Sequence, residues 1–303
     1  MKAGERARAE AALIAVTAVW GASFTLVKEA LGDASTLLFL AIRFTVATAA
    51  VAWFSRRTLA PGGMLVDPLA WQGGWRAGLC LAVAYLCQTS GLRWTTPSKS
   101  AFLTSLCTVL VPLLGACIYR RLPQRVEAVG ILLAVAGMVL LTDFTWMSLG
   151  GAGWGELLTI AGAVAFAAHT LTIGHHASRV GLTAFSLLQL GTATLLFWVA
   201  IPWYAPIRVR PSWRLAVAIL VTGVICTAVG FTAQAWAQRL TPATRVALIF
   251  ALEPVSAAAA SYLFDGEILP AAGMAGALLI LAGVLVVEWR PRGRNLANGP
   301  ASI

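Results

Sequence analysis

Three ionisable side chains stand inside stretches that are otherwise apolar. They are Arg43 in Ala41-Ile42-Arg43-Phe44, His169 after Ala167-Ala168, and Glu253, which is followed at once by Pro254. A charge at the centre of a membrane-spanning helix costs about 2.5–3.5 kcal/mol on insertion scales, so it persists where it pairs, protonates or meets a solute. Glu253 suits a protonatable site or a partner for a cationic group; its structural alternatives are an ion pair with an arginine or a permanently protonated, hydrogen-bonded acid. Pro254 lacks the amide that would bond the carbonyl of Phe250, so it breaks the helix and frees an acceptor. Pro112 has the same potential in an earlier run. The Arg43 guanidinium must face protein, where it can hold a carboxylate, neutralise Glu253 or bind carbonyls. Histidine has a reference pKa close to physiological pH, so His169 could relay protons, or could simply bond a backbone carbonyl.

Polar but uncharged candidates accompany these. Gln88 and Gln234 each lie within a turn of an aromatic residue, Tyr85 and Trp236 respectively. Their amides donate and accept, so the pair could grip a polar or zwitterionic solute from two sides, or hold helices together. Ser23 and Trp20 sit in the first apolar run. We assign Trp20, Ser23, Tyr85, Gln88, Gln234, Trp236 and Glu253 to substrate binding. Glu253, His169 and Arg43 are assigned to charge coupling, and Pro112 and Pro254 to helix breaks or gating.

The elements that must position these residues are membrane helices. The chain is 59% hydrophobic and 11% charged, against about 45–50% and 25% in soluble domains. Apolar windows of about 20 residues are membrane spans, and ten occur: 11–31, 36–55, 73–92, 98–119, 126–142, 155–175, 183–203, 213–238, 242–264 and 270–289. The expected fold is an all-α polytopic membrane protein. The net charge of +10 does not indicate nucleic acid, because Lys and Arg gather in alternate short loops. With the N-terminus inside, fifteen fall on the cytoplasmic side and six outside, so both termini are expected in the cytoplasm. Ten of the twelve Trp lie near span ends, Trp53, Trp94, Trp146 and Trp289 among them, as an interfacial belt requires. Five Cys lie in apolar spans without metal spacing and are expected as free thiols. His175-His176 has no third ligand nearby, so no metal and no cofactor is expected.

The chain also repeats. Shifted by 146 positions, Glu10 meets Glu156, Phe39 meets Phe185, Ala47-Thr48 meets Ala193-Thr194, and Gln88 meets Gln234. Arg93 then meets Arg239, Thr95 meets Thr241, Lys99 meets Arg245, Leu106 meets Leu252, and Ala136-Gly137 meets Ala282-Gly283. One ungapped offset over most of the chain implies two copies of a five-span unit. Five is odd, so the second copy enters the membrane inverted, as in many secondary transporters. The units are 1–150 and 151–290, with a polar cytoplasmic tail at 291–303. The copies differ at the candidate residues: Glu253-Pro254 falls opposite Cys107-Thr108, Arg43 opposite Gln189, and Ser23 opposite His169.

Trp20-Gly21-Ala22-Ser23-Phe24, Arg43-Phe44, Pro112, Gly130 with Ala136-Gly137, Glu253-Pro254, and Gly276 with Ala282-Gly283 resemble the drug/metabolite transporter superfamily, EamA type. The resemblance implies ten transmembrane helices in two inverted five-helix EamA repeats, with spans 1, 3, 4, 6, 8 and 9 around a central cavity and the second and seventh often peripheral. It implies a secondary transporter of the inner membrane that moves a small organic metabolite or drug-like solute by alternating access, exporting amino-acid-like or related metabolites, with the proton as a possible coupling ion. Import or exchange by the same fold is the alternative. A lipid-modifying enzyme or a sensor is disfavoured, since HExxH, GxSxG and phosphate-loop motifs are absent and no soluble domain is evident. The expected state is a monomer or homodimer in the bilayer, without nucleic acid.

Overall fold

The computed structural model describes residues 3–56, 67–120, 124–141, 153–203, 207–265 and 270–288. Each apolar run is helical, because in hydrocarbon every backbone amide must bond within its own segment. The first repeat comprises α1 (Ala3–Asp33), α2 (Thr36–Ser55), α3 (Pro68–Leu92), α4 (Pro97–Ser105) with α5 (Cys107–Tyr119), and α6 (Arg125–Leu141). The second comprises α7 (Trp154–His176), α8 (Leu182–Ala200), α9 (Trp213–Leu220) with α10 (Gly230–Ala237), α11 (Ala243–Phe250) with α12 (Glu253–Asp265), and α13 (Ala271–Glu288). Seven of these stretches are long and apolar enough to cross a membrane by length and composition; α3, α6 and α13 complete the ten. The boundary at 150 and the tail from 291 lie outside the described residues, as do Trp146 and Trp289. Trp53, Trp94, Trp154, Trp203 and Trp213 are exposed at helix ends, where indoles sit at the headgroup level.

Pairs of hydrogen bonds repeat at the same offset. Arg93 donates to the carbonyl of Ala34 and Arg239 to that of Val180; Thr95 donates to Glu156 and Thr241 to Glu10. Thr48 and Thr194, images of one another, share a hydrogen bond of 2.9 Å, so α2 and α8 meet across the pseudo-twofold axis. Helices α6 and α13 pack by small residues: a Cβ on Gly137 would strike the carbonyl of Gly276, and one on Gly130 that of Gly283. Such contacts drive helix association where no hydrophobic effect operates. One end of the bundle carries 33–35, 92–96 and 207–212, with Ser35 N bonded to Arg208 O and Arg210 N to Asp33 O. The N-terminus, Val180 and 238–242 mark the opposite end.

Two breaks interrupt the spans. The ninth splits at Ala251-Leu252, just before Glu253, as Pro254 requires. The fourth splits at Leu106, the image of Leu252 and not the proline of that span. Pro112 lies inside α5, so the helix break expected at it falls at Leu106 instead. The break follows the repeat geometry, and the proline is only one way to accommodate it. A third irregularity has no image: between α9 and α10 the backbone takes a π-helix over Val221–Val229, whereas α3 is continuous.

Candidate functional site

Most of the singled-out residues converge on one cavity between the repeats. About 680 Å³ of atom-free space, counted to its open mouth, is lined by Trp20, Ser23, Arg43, Tyr85, Gln88, His169, Gln234 and Glu253, together with aromatic and small polar neighbours. Spans 1, 3, 4, 6, 8 and 9 contribute, as does the second through Arg43. Trp236 does not line the cavity and packs instead against the hydrophobic cluster that includes Ala9, Leu13 and Val246, and neither Pro112 nor Pro254 lines the cavity.

Aromatic rings form the walls. The Trp20 indole lies 5.2 Å from the Phe231 ring and 5.4 Å from Phe250, and Tyr85 sits 5.3 Å from Phe166 in edge-to-face contact. Such geometry stabilises the pairs beyond their burial. Trp20 donates its Nε1–H to the carbonyl of Cys226 at 2.7 Å, inside the π-helical turn. That contact is possible because residue 230 is glycine: a Cβ there would crowd the indole. Likewise a Cβ at Gly21 would strike the carbonyl of Glu253 and the Cβ of Ser256. Gly21 therefore lets α1 lie directly against the break in the ninth span. The Trp20-Gly21 dipeptide serves both contacts.

Arg43 enters from the second span and is 2% exposed. Its Nε donates to the Thr227 hydroxyl at 2.9 Å and its Nη2 to the Tyr85 hydroxyl at 3.1 Å, with the guanidinium carbon 4.6 Å from the Tyr85 ring centre. A guanidinium has five N–H donors, and among the described residues these bonds engage two of them. Thr227 donates onward to the carbonyl of Thr222, five residues back. That is the register of a π-turn, so the π-helix sets the seat of Arg43.

Glu253 is buried at the first turn of α12. Its carboxylate has no hydrogen bond or ion pair among the described residues, and it does not pair with Arg43. An acid and a guanidinium thus line one cavity without touching each other. His169 bonds the Gln189 side-chain oxygen at 3.1 Å, which leaves one ring nitrogen for other partners. Gln88 donates to Thr104 at 2.9 Å and Gln234 to Gln238 at 3.1 Å. The images part company because Thr104 is replaced by Phe250, which cannot accept. The Gln234 amide oxygen is buried without a partner.

Phe24, Phe166, Phe231, Phe250, Thr104 and Cys107 also line the cavity and were not singled out from the sequence. The repeat offset could have found three of them. Phe166 is the image of Trp20, Phe231 of Tyr85, and Cys107 of Glu253, while Phe250 and Thr104 are images of each other.

Known proteins resemble this chain over nearly its whole length. A relative from Archaeoglobus fulgidus named "Uncharacterized transporter" is 27% identical over 288 residues, covering 94% of this chain and 87% of its own. A relative from Salmonella typhimurium named "Probable amino-acid metabolite efflux pump" is 26% identical, covering 93% of this chain and 95% of its own. A solved crystal structure, described only as that of a protein, superposes with a TM-score of 0.77 at 18% identity, over 93% of this chain and 98% of that one; it supports the fold alone. The model of the EamA-like transporter family matches twice, at residues 7–143 and 153–289. Two five-span repeats around one cavity, each repeat matched by the family model, make this chain a member of the EamA-like transporter family, a multi-pass membrane transporter of metabolites.

Proposed function

We propose that this transporter exports amino-acid-like zwitterions across the cytoplasmic membrane, with both chain termini in the cytoplasm. The observation that carries the reading is an acid and a guanidinium that do not touch each other in one aromatic-walled cavity. The remaining N–H groups of Arg43 suit a planar carboxylate, and the Glu253 carboxylate suits an ammonium. The rings between them favour an apolar or aromatic side chain over a strongly polar one. The Salmonella relative's name as an amino-acid metabolite efflux pump agrees with a substrate of this kind and with export.

Two coordinated movements follow from the chemistry. The inverted repeats rock about the cavity and open it to one side at a time. Glu253 holds either a proton or the substrate ammonium, so a proton taken up from outside releases the solute there and travels inward. Amino-acid efflux is then driven by external acid.

Purified protein in liposomes loaded with radiolabelled amino acids tests this. Efflux should rise severalfold when the exterior is acidified, most for apolar and aromatic amino acids. Glu253→Gln should abolish the pH response while the protein still folds. Normal, pH-dependent flux in that variant would overturn the assignment of Glu253. Equal flux for solutes lacking either the amine or the carboxylate would overturn the zwitterion reading. Flux in oriented vesicles separates export from import.

A further inference from the structure

Both ends of the bundle carry a Thr–Glu bond, but their cationic contacts differ: Lys28 donates to the carbonyls of Leu92, Arg93 and Thr95 at one end, and Glu10 draws Arg6 and Arg245 at the other. At the N-terminal end, Glu10 accepts from the Thr241 hydroxyl and lies 3.6 Å from the Arg245 guanidinium, which is largely covered, with 16% of its side chain exposed. Arg6, one turn earlier, donates to the same carboxylate at 2.7 Å. At the other end the image of Glu10 is Glu156, and it accepts from the Thr95 hydroxyl at 3.0 Å. The image of Arg245 is Lys99. Lys99 is exposed and forms no ion pair among the described residues. The acid, the threonine and the cation are present at both ends, and the ion pair is made at one.

The cavity is lopsided in the same sense. Most of its lining comes in image pairs, but Val27, Arg43, Thr89 and Leu92 line it while their images Ile173, Gln189, Ala235 and Gln238 do not. Val27, Thr89 and Leu92 lie towards the end where Lys99 is unpaired. At the opposite end Gln238 closes the floor, accepting from Gln234 and donating to the carbonyl of Thr170 at 2.8 Å. The cavity therefore reaches towards the unlatched end and stops short of the latched one.

We infer that Glu10–Arg245 and Lys99–Glu156 are alternating latches: as the cavity turns to face the other side, Lys99 closes on Glu156 while Arg245 leaves Glu10. The exchange makes one ion pair and breaks its image, so the two states stay close in energy, as repeated cycling demands. Held at 3.6 Å, beyond hydrogen-bond reach, the Glu10–Arg245 pair is individually weak, and a weak latch releases readily. The Arg6 bond, whose image position is Ala152, favours the state seen here when no solute is bound. This inference rests on the alternating-access reading, but its test needs no solute.

Hydrogen–deuterium exchange on the full-length protein in lipid nanodiscs reports both ends at once, at residues 27–31 and 92–94 against 173–177 and 238–241. Glu10→Gln should raise exchange at the second set and lower it at the first, shifting their ratio by about two- to fivefold, the range a single weak ion pair supports. Glu156→Gln should shift the ratio the other way or leave it at the wild-type value. Arg245→Gln and Lys99→Gln should copy Glu10→Gln and Glu156→Gln, and they serve if an acid variant fails to fold. The charge swap Glu10→Arg with Arg245→Glu should return the ratio towards wild type, which neither single reversal does. A Glu10→Gln or Arg245→Gln variant that loosens only its own end, without tightening the other, would overturn the coupling. Exchange that responds as expected in a protein without amino-acid flux would refute the proposed substrate and leave the latches standing.

Discussion

The third and eighth spans occupy equivalent places in the two repeats and yet differ in backbone. The third, α3, is an unbroken α-helix from Pro68 to Leu92; the eighth inserts a π-helical run, Val221–Val229, between α9 and α10. The run turns the carbonyl of Cys226 to the Trp20 indole and the Thr227 hydroxyl to Arg43. π-turns are locally unfavourable and gather at functional sites. The difference shows where the inverted repeat departs from its symmetry: at the backbone that seats Trp20 and Arg43 in the cavity lining. The shared bonds at the ends of the bundle keep the halves alike; the charges in the middle make them unlike.

The largest effect should come from the most unequal image pair. Glu253→Gln should lower zwitterion flux by about 100-fold, as expected when a buried charge-assisted contact is lost. Cys107→Ser, at the image position, should leave flux within about twofold, because the cysteine offers no charge. Flux in liposomes measures both, and similar losses in the two variants would erase the functional asymmetry between spans four and nine.

Next is the close approach of α1 to α12. Gly21→Ala should destabilise the protein by about 1–3 kcal/mol, since overpacking against backbone cannot relax cheaply. Its image, Ala167, already carries a fully buried Cβ, so the first span alone depends on glycine here. Thermal unfolding in detergent reads the difference.

Arg43→Lys keeps the charge and loses the planar fork. A rise of about tenfold in the KM for amino acids is expected, and an unchanged KM would return Arg43 to a purely structural role. The smallest effect belongs to Thr227→Val, which removes the hydroxyl that seats Arg43 but little volume. A KM increase of about threefold with kcat nearly unchanged is expected, near the value of one neutral hydrogen bond. If Thr227→Val instead matches Arg43→Lys, the π-helical seat matters as much as the charge it holds.

Hydropathy and the 146-residue offset made the ten spans and the two repeats legible, because a membrane demands long apolar helices whatever their neighbours. The same offset exposed the unequal pairs around Glu253, Arg43 and His169, and the structure places all three in the cavity lining. Trp236 was misleading. Its neighbour Gln234 faces the cavity, but two positions along a helix turn the side chain about 200° away. Pro112 misled for a related reason: a proline marks where a helix can break, and the repeat geometry placed the break at Leu106.

What the sequence alone determined is therefore the solvent, the helix count and the pairing of residues across the repeats, all of which follow from composition and spacing. Tertiary structure alone decided whether Arg43 and Glu253 neutralise each other, since that depends on how neighbouring helices rotate and on a π-helix with no clear local signal. It also decided which end of the cavity is closed. The residues of both latches are present in the sequence; only packing selects Glu10 with Arg245 and leaves Lys99 apart from Glu156.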